Sequence, residues 1–424
     1  MPDSGKLRVF SNSPVVAMTL HARLFRSLFC LLLIIAGVSA RADGSLVIVG
    51  GALRADNAAV WQRIVDLAGG KGARIAVVPA AAGNPLGSGG RVVSHLNAYG
   101  AQAFLLPVAP KLPGDVHVAA NDPANVAAID HATGVYFIGG DQARITGSLR
   151  NADGANSKVL DAIWALYRRG GVVSGASAGA AIMSSTMFDN AGTTLSVLQN
   201  GVNDGRELAP GLGFVGKDVF VDQHLIIRGR FARMLPAMLK KSYQHGLGID
   251  ENTAVVIGPK RDAEVIGYKG AIWFDLSHAT VDPAMKAFNV SNASISYLDH
   301  GDRVNLDTGV MTPSSDKIDG KVDPKQPGNH EPLFSADILG NTTLVDLMMT
   351  LVDSAQPQAT GLAFGGPNAN PALPGFSFKL SRTAATEGYE SATSEAYSVY
   401  RMRLDVQPVK VSWPAISPYV SKPQ

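Results

Sequence analysis

Short, continuous apolar runs punctuated by glycine or proline recur through the first half of the chain, and they constrain its fold more than any other feature. Leu46-Val47-Ile48-Val49 stops at Gly50-Gly51, and Arg74-Ile75-Ala76-Val77-Val78 stops at Pro79. Ala103 to Val108 forms a third run, and Val135-Tyr136-Phe137-Ile138 stops at Gly139-Gly140. Runs of this length without polar alternation suit strands buried on both faces. Between them lie segments of helical length: Ala55 to Ala68, Arg91 to Tyr99, Ala124 to His131 and Ser157 to Arg169. Strands alternating with helices predict an α/β fold, a mostly parallel sheet flanked by helices and joined by right-handed crossovers. Such sheets bind ligands beyond the C-terminal ends of their strands, so Gly50-Gly51 and Gly139-Gly140 are expected at one edge.

The next strand end carries chemistry. Gly170-Gly171-Val172-Val173-Ser174-Gly175-Ala176-Ser177-Ala178-Gly179-Ala180-Ala181 runs from a buried strand into a small-residue helix, with Gly-x-Ser-x-Gly at the junction. In a nucleophile elbow, small neighbours at Gly175 and Gly179 let the backbone turn sharply, so that the Ser177 hydroxyl projects from the strand end. A helix starting at Ala178 aims free amides and the positive end of its dipole at a developing oxyanion. Alone, the pattern is equally what a tight turn would produce in a chain with 45 glycines. The neighbours must decide.

Composition narrows the partners. With 46% hydrophobic and 17% charged residues and a formal charge of +2, the chain has no long-range field that would recruit nucleic acid or a membrane surface. Residues 1–42 read as a secretory signal: His21, Arg23 and Arg26 precede the apolar run Leu28 to Val38, and Ser39-Ala40-Arg41-Ala42 supplies an Ala-x-Ala cleavage pattern. The expectation is a protein secreted to the periplasm or the medium, with no membrane attachment after cleavage; a retained anchor is the alternative. The single cysteine, Cys30, falls in this segment, so the mature chain would hold no thiol nucleophile and no cysteine metal site. No metal or cofactor is expected.

A serine hydroxyl needs a general base, and histidine suits that role near neutrality. Of nine histidines, His224 is best placed, because Val219-Phe220-Val221-Asp222-Gln223-His224 is a further strand end downstream of the elbow. A helix is expected from about Arg228 to Lys241, with Arg228, Arg230 and Arg233 towards one side of its first turns. Beside a catalytic histidine, arginines can hold substrate carboxylates by paired hydrogen bonds; elsewhere they would form a solvated basic face.

Phe137-Ile138-Gly139-Gly140-Asp141-Gln142, the elbow, Asp222-Gln223-His224 with the following arginines, and Gly248-Ile249-Asp250-Glu251-Asn252-Thr253-Ala254 together resemble the cyanophycinases. That family of serine peptidases also includes aspartyl dipeptidase (dipeptidase E), on a fold related to class I glutamine amidotransferases. The similarity runs from about Leu46 to Leu276. It implies hydrolysis of cyanophycin, a polyaspartate carrying arginine on each β-carboxyl, to β-Asp-Arg dipeptides. Carried over residue by residue, it implies Ser177 as nucleophile and His224 as base, with the amides of Gly140 and Ala178 as the oxyanion hole. Gln142, Asp222, Gln223, Arg228, Arg230 and Arg233 would bind substrate.

The acid that orients the histidine is where the chain departs from the family pattern. The stretch Gly192 to Gln199 contains no carboxylate, while Asp189, Asp204 and Glu207 flank it. Asp204 is the expected third member, because its distance before His224 is similar to the spacing in the family it resembles, with an Asn-Asp-Gly turn as its structural alternative. Two other functions stay open: a peptidase for short aspartyl or isoaspartyl peptides, and a catalytically silent protein that binds Asp/Arg-rich ligands. A homodimer is compatible with the sequence. The expected organisation is a signal over 1–42, a catalytic domain over 43–300, and an extension over 301–424. Within that extension, Asn305 to Pro332 reads as linker, Thr343 to Ser354 as helix, and Gly375 to Leu380 and Ser398 to Lys410 as strands.

Overall fold

In this computed structural model the described residues are 43–412; the signal expected over 1–42 lies outside them. In chain order the first elements are β1 (Ser45–Val49), α1 (Ala58–Leu67), β2 (Arg74–Val78), α2 (Pro85–Ala98), β3 (Gln102–Leu105), α3 (Val116–Ala119), α4 (Pro123–Asp130) and β4 (Gly134–Phe137). There follow α5 (Gln142–Leu149), α6 (Lys158–Arg168), β5 (Val172–Ala176), α7 (Ala178–Ala181), β6 (Thr186–Phe188), α8 (Thr194–Asn200), β7 (Leu208–Pro210), β8 (Val219–Gln223) and α9 (Phe231–Lys241). Next come β9 (His245–Ile249), β10 (Thr253–Ile257), β11 (Asp262–Gly267), β12 (Ala271–Asp275), β13 (Val290–Leu298), β14 (Arg303–Asn305) and β15 (Met311–Thr312). The last are β16 (Leu333–Ser335), α10 (Thr343–Val352), β17 (Gln358–Ala363), β18 (Gly375–Ser381), β19 (Glu387–Glu390) and β20 (Tyr397–Val409).

The apolar runs build one half of a nine-stranded sheet ordered β15-β14-β11-β10-β1-β5-β4-β2-β3. From β1 through β5, β4 and β2 to β3 every pairing is parallel. From β1 outward through β10, β11, β14 and β15 every pairing is antiparallel. The expected mostly parallel sheet is thus half of a mixed one. Parallel strands need long crossovers, and those are the helical segments, whereas β10 and β11 are joined by a short turn that only antiparallel strands permit.

Helix starts follow local chemistry. Asn57 caps α1 by accepting from the Val60 amide, and Ser157 caps α6 by accepting from that of Leu160. Helix α2 begins at Pro85, before the expected Arg91, because Asn84 accepts from the Gly87 amide and proline suits the first helical position. The intervening glycines hid that first turn.

A second nine-stranded sheet was not expected. Its path is β16-β17-β18-β20-β13-β12-β9-β8, with β19 paired to β20, and it is antiparallel except for β8 beside β9 and β16 beside β17. Strand β13 pairs with β20, so residues on both sides of position 300 share one sheet. From Asp43 onward the chain is one compact unit. The expected boundary at 300 is therefore corrected: the strands beyond it are woven into the sheet that carries β8 and β9. The expected linker is also structured, for it contributes β15, and the fully buried Lys317 ammonium sits 2.8 Å from Asp302.

The site lies where the two sheets meet. One apolar cluster packs Ile48, Phe137 and Val173 of the first sheet against Val221 and Ile249 of the second. Strand β9 belongs to the second sheet and β10 to the first, so Asp250-Glu251-Asn252 is the crossover between them.

Candidate active site

Ser177 follows β5 with φ 54° and ψ −108°, in the left-handed region that non-glycine residues rarely enter. The turn is held by tight packing. A Cβ on Gly175 would lie 2.4 Å from the Gly179 carbonyl oxygen, and one on Gly179 would lie 2.3 Å from that of Phe137. Only glycine fits at either position, which explains the spacing of Gly-x-Ser-x-Gly in steric terms.

His224 follows β8 and has φ 51°. Both residues are tethered to the end of β1: the Ser177 amide donates to the Val49 carbonyl at 3.0 Å, and the His224 amide to that of Gly50 at 2.9 Å. Gly51 completes the seat, since a Cβ there would strike the imidazole at 2.2 Å. Ser177 Oγ and His224 Nε2 are 2.7 Å apart.

The partner of His224 Nδ1 is Glu251, whose Oε1 lies 2.5 Å away. The expectation for Asp204 is corrected. Its exposed carboxylate accepts from Lys241 Nζ at 3.0 Å, in the loop that leads into β7. Asp189 and Glu207 are not partners of His224 either: the Asp189 amide donates to the Glu207 carbonyl at 2.8 Å, and the Glu207 carboxylate accepts from the Asn203 amide at 2.8 Å.

The crossover that carries Glu251 is fastened on both sides. The fully buried Asp250 accepts from the Ile227 amide at 3.1 Å and pairs with Lys269 at 3.1 Å. Asn252 donates its amide to the Gly51 carbonyl at 2.8 Å, and its side-chain oxygen accepts from Asn57 at 2.9 Å. A carboxylate between two such anchors stays where the imidazole needs it. Sequence reasoning places Gly248-Ile249-Asp250-Glu251 in the family pattern but assigns Glu251 no role. The available signal was an acid pair directly after an apolar strand, the arrangement that singles out His224.

Burial lowers the pKa of His224 below the usual histidine value; the hydrogen bond and charge of Glu251 oppose this, and Arg228 and Arg230 reinforce it. Partial burial would raise Glu251, but the hydrogen bonds and charges of His224 and Arg228 outweigh it and hold the carboxyl below its ordinary value. Near neutrality the pair is therefore a neutral imidazole against a carboxylate. Such a pair can take the proton of a hydroxyl held at Nε2 and stabilise the imidazolium that forms.

The amides of Gly140 and Ala178 have no backbone acceptor among the described residues, as donors to an oxyanion require. Ser177 and His224 open onto a cavity of about 170 Å³ whose wall includes Gln142, Gln223, Arg228, Arg230 and Arg233. Of the expected binding residues, only Asp222 stands behind this wall. It is buried and grips Arg233 with two hydrogen bonds of 2.7 Å, while the Arg233 guanidinium lies 4.2 Å from the centre of the Phe188 ring. Arg230 Nη1 donates to both the backbone and side-chain oxygens of Gln223 at 3.1 Å. Burial and the neighbouring Arg233 lower the Arg230 pKa to about 10, so it keeps its charge at neutral pH. Arg228 donates to Glu251 at 3.1 Å. Helix α9 starts only at Phe231, so Arg228 and Arg230 reach the cavity from the turn before it; the expected shared helical face does not exist. On its other side Ser177 lines a second cavity of about 250 Å³ with Trp61, Arg91, His95 and Tyr136.

Residues 46–263 match peptidase family S51. The cyanophycinase of Geminocystis herdmanii is 31% identical over 274 residues, covering 62% of this chain and 94% of that protein. The cyanophycinase of Nostoc sp. is 28% identical over 284 residues, covering 65% of this chain and 89% of its own. A solved peptidase from an acI-B1 Actinobacterium, 21% identical, superposes with a TM-score of 0.43 over 55% of this chain and 90% of its own.

Proposed function

The chain belongs to peptidase family S51 and is a serine-type peptidase, and from that premise we propose that it hydrolyses cyanophycin to β-Asp-Arg dipeptides through an acyl-enzyme on Ser177. The observation that carries this reading is the relay of Ser177, His224 and Glu251 facing a wall of three arginines. A substrate with a free carboxylate beside each scissile bond suits such a wall, because guanidinium groups bind carboxylates by paired, charge-assisted hydrogen bonds. The relatives named cyanophycinase support the same substrate.

In the proposed reaction His224 Nε2 removes the Ser177 proton as Oγ attacks the peptide carbonyl. The oxyanion is held by the amides of Gly140 and Ala178. The imidazolium, stabilised by Glu251, then gives its proton to the departing amine, and water repeats the sequence on the acyl-enzyme. The two cavities meeting at Ser177 leave room for chain on both sides of the bond. The arginine-lined wall also suits short isoaspartyl peptides, and parallel assays on the polymer and on such peptides separate the two substrates. The silent binding protein loses its motive, since an acid does hold His224. Export by the segment 1–42 belongs to the same proposal, supported by its basic, apolar and Ala-x-Ala pattern; fractionation of expressing cells tests it.

The decisive experiment is Ser177→Ala assayed on insoluble cyanophycin, with products identified by mass. Loss of roughly 10⁶-fold in kcat is expected for a serine nucleophile, with the melting temperature unchanged. Release of β-Asp-Arg at the parental rate would sink the mechanism.

A further inference from the structure

A cavity of about 430 Å³ lies outside the stretch that matches the family, walled by Lys321, Val352, Pro357, Arg382 and Glu387 among others. Its charges do not balance. Lys321 Nζ donates to Glu387 at 2.6 Å, and Arg401 pairs with the same carboxylate. The only carboxylate of the wall is therefore already shared by two cations. Arg382 lines the cavity half-buried and has no ion-pair partner among the described residues; its Nε and Nη1 are closed off without a hydrogen-bond partner, which leaves Nη2 as the guanidinium nitrogen open to an incoming group. A guanidinium without a counter-charge at the wall of a cavity leaves a donor for an incoming anion.

The surrounding backbone is pinned. The Arg382 amide donates to the Pro357 carbonyl at 3.0 Å, the Thr383 amide to Thr386 Oγ1 at 2.9 Å, and that hydroxyl to the Arg401 carbonyl at 3.0 Å. Arg382 is thus held beside the cavity by a built turn. Val322, Val352 and Pro357 give the cavity an apolar side as well as a cationic one. A hydrated inorganic ion gains nothing from apolar walls, whereas a carboxylate on a short carbon stem uses both kinds of surface.

We propose that this cavity is a second binding site, for an organic carboxylate of aspartyl size, with Arg382 taking the carboxylate and Lys321 flanking it. Succinate is the probe, titrated by calorimetry into the full chain carrying Arg230→Ala, so that the cleft at Ser177 contributes little. Saturable binding is expected, weakened about tenfold or more by adding Arg382→Gln, as loss of a charged hydrogen bond implies. Inorganic phosphate at equal ionic strength should bind at least about tenfold more weakly than succinate, since it gains little from the apolar side. Absence of succinate binding, unchanged affinity in Arg382→Gln, or phosphate binding as tight as succinate would each overturn the proposal. If Arg382→Gln does not fold by circular dichroism, Lys321→Gln replaces it and must weaken succinate at least about threefold. Arg382→Gln in the otherwise unmodified chain should hydrolyse substrate at the parental rate, so failure of the second site is distinguishable from failure of the proposed reaction.

Discussion

Two acidic stretches compete for His224, and they differ in how they are held. The loop around Asp204 lies between β6 and β7, a two-stranded sheet that pairs with neither nine-stranded sheet. Its carboxylate is 62% exposed and neutralised by a surface lysine. The crossover around Glu251 links the two sheets, is anchored by a fully buried Asp250, and leaves Glu251 19% exposed beside the imidazole. Spacing along the chain favoured the first. Mechanical support favours the second, because a catalytic carboxylate must be held within a few tenths of an ångström, and rigid elements do that better than exposed loops.

Glu251→Gln is the largest test of that contrast. The amide is nearly isosteric, but it removes the charge that stabilises the imidazolium and can donate to Nδ1, enforcing the wrong tautomer. A fall of roughly 10³- to 10⁴-fold in kcat is expected, with little change in melting temperature. Parental turnover would show that Glu251 is only a structural partner of His224.

Arg230→Ala comes next. Its guanidinium faces the cavity with one nitrogen committed to Gln223 and the rest of the fork available. Loss of a charged hydrogen bond to substrate predicts a drop of roughly 10- to 100-fold in kcat/KM, carried mainly by KM. Arg233→Ala should instead lower the melting temperature, because it leaves the buried Asp222 unpaired.

Much of this was legible beforehand, for physical reasons that can be named. Strands β1, β2, β4 and β5 are buried on both faces over all but the exposed first residue of β2, so their sequences are mostly apolar and announce themselves. Ser177 and His224 stand at abrupt transitions from such strands to polar or small residues. Single strands of the second sheet, such as Gly375 to Leu380, were legible, but the sheet was hidden because no periodicity reveals that β13 pairs with β20; β17, where buried and less buried positions alternate and Gly361 interrupts the apolar side chains, was not read at all. Lys317 was unreadable for another reason. A lysine in a polar stretch implies solvent, and its burial depends on Asp302, a partner that no periodicity reveals. Glu251 lay between these cases, since the acid pair was visible but the crossing from one sheet to the other was not.

The pH dependence sharpens the same contrast by a smaller amount. Because His224 must be neutral to act as base and burial holds its pKa below 6.5, the acid limb of kcat/KM should fall below pH 6.5. Glu251 raises the His224 pKa, so removing its charge moves the inflection to still lower pH in the residual activity of Glu251→Gln. An inflection moving upward would contradict the assignment of the carboxylate.

The smallest effect belongs to the acid that spacing preferred. Asp204 makes its ion pair with Lys241 at the surface, where such pairs contribute about 0–1 kcal/mol. Asp204→Asn retains the side chain's shape and can still accept from Lys241, so the melting temperature should move by no more than about a degree or two. Hydrolysis should stay within about twofold of the parent, because the proton relay does not pass through this loop. The two substitutions are informative together because their expected effects are so unequal. Loss of activity in Asp204→Asn with Glu251→Gln unaffected would mean that the loop closes over His224 during turnover and displaces the crossover acid, whereas the opposite outcome assigns the orienting role to the residue that both sheets hold in place.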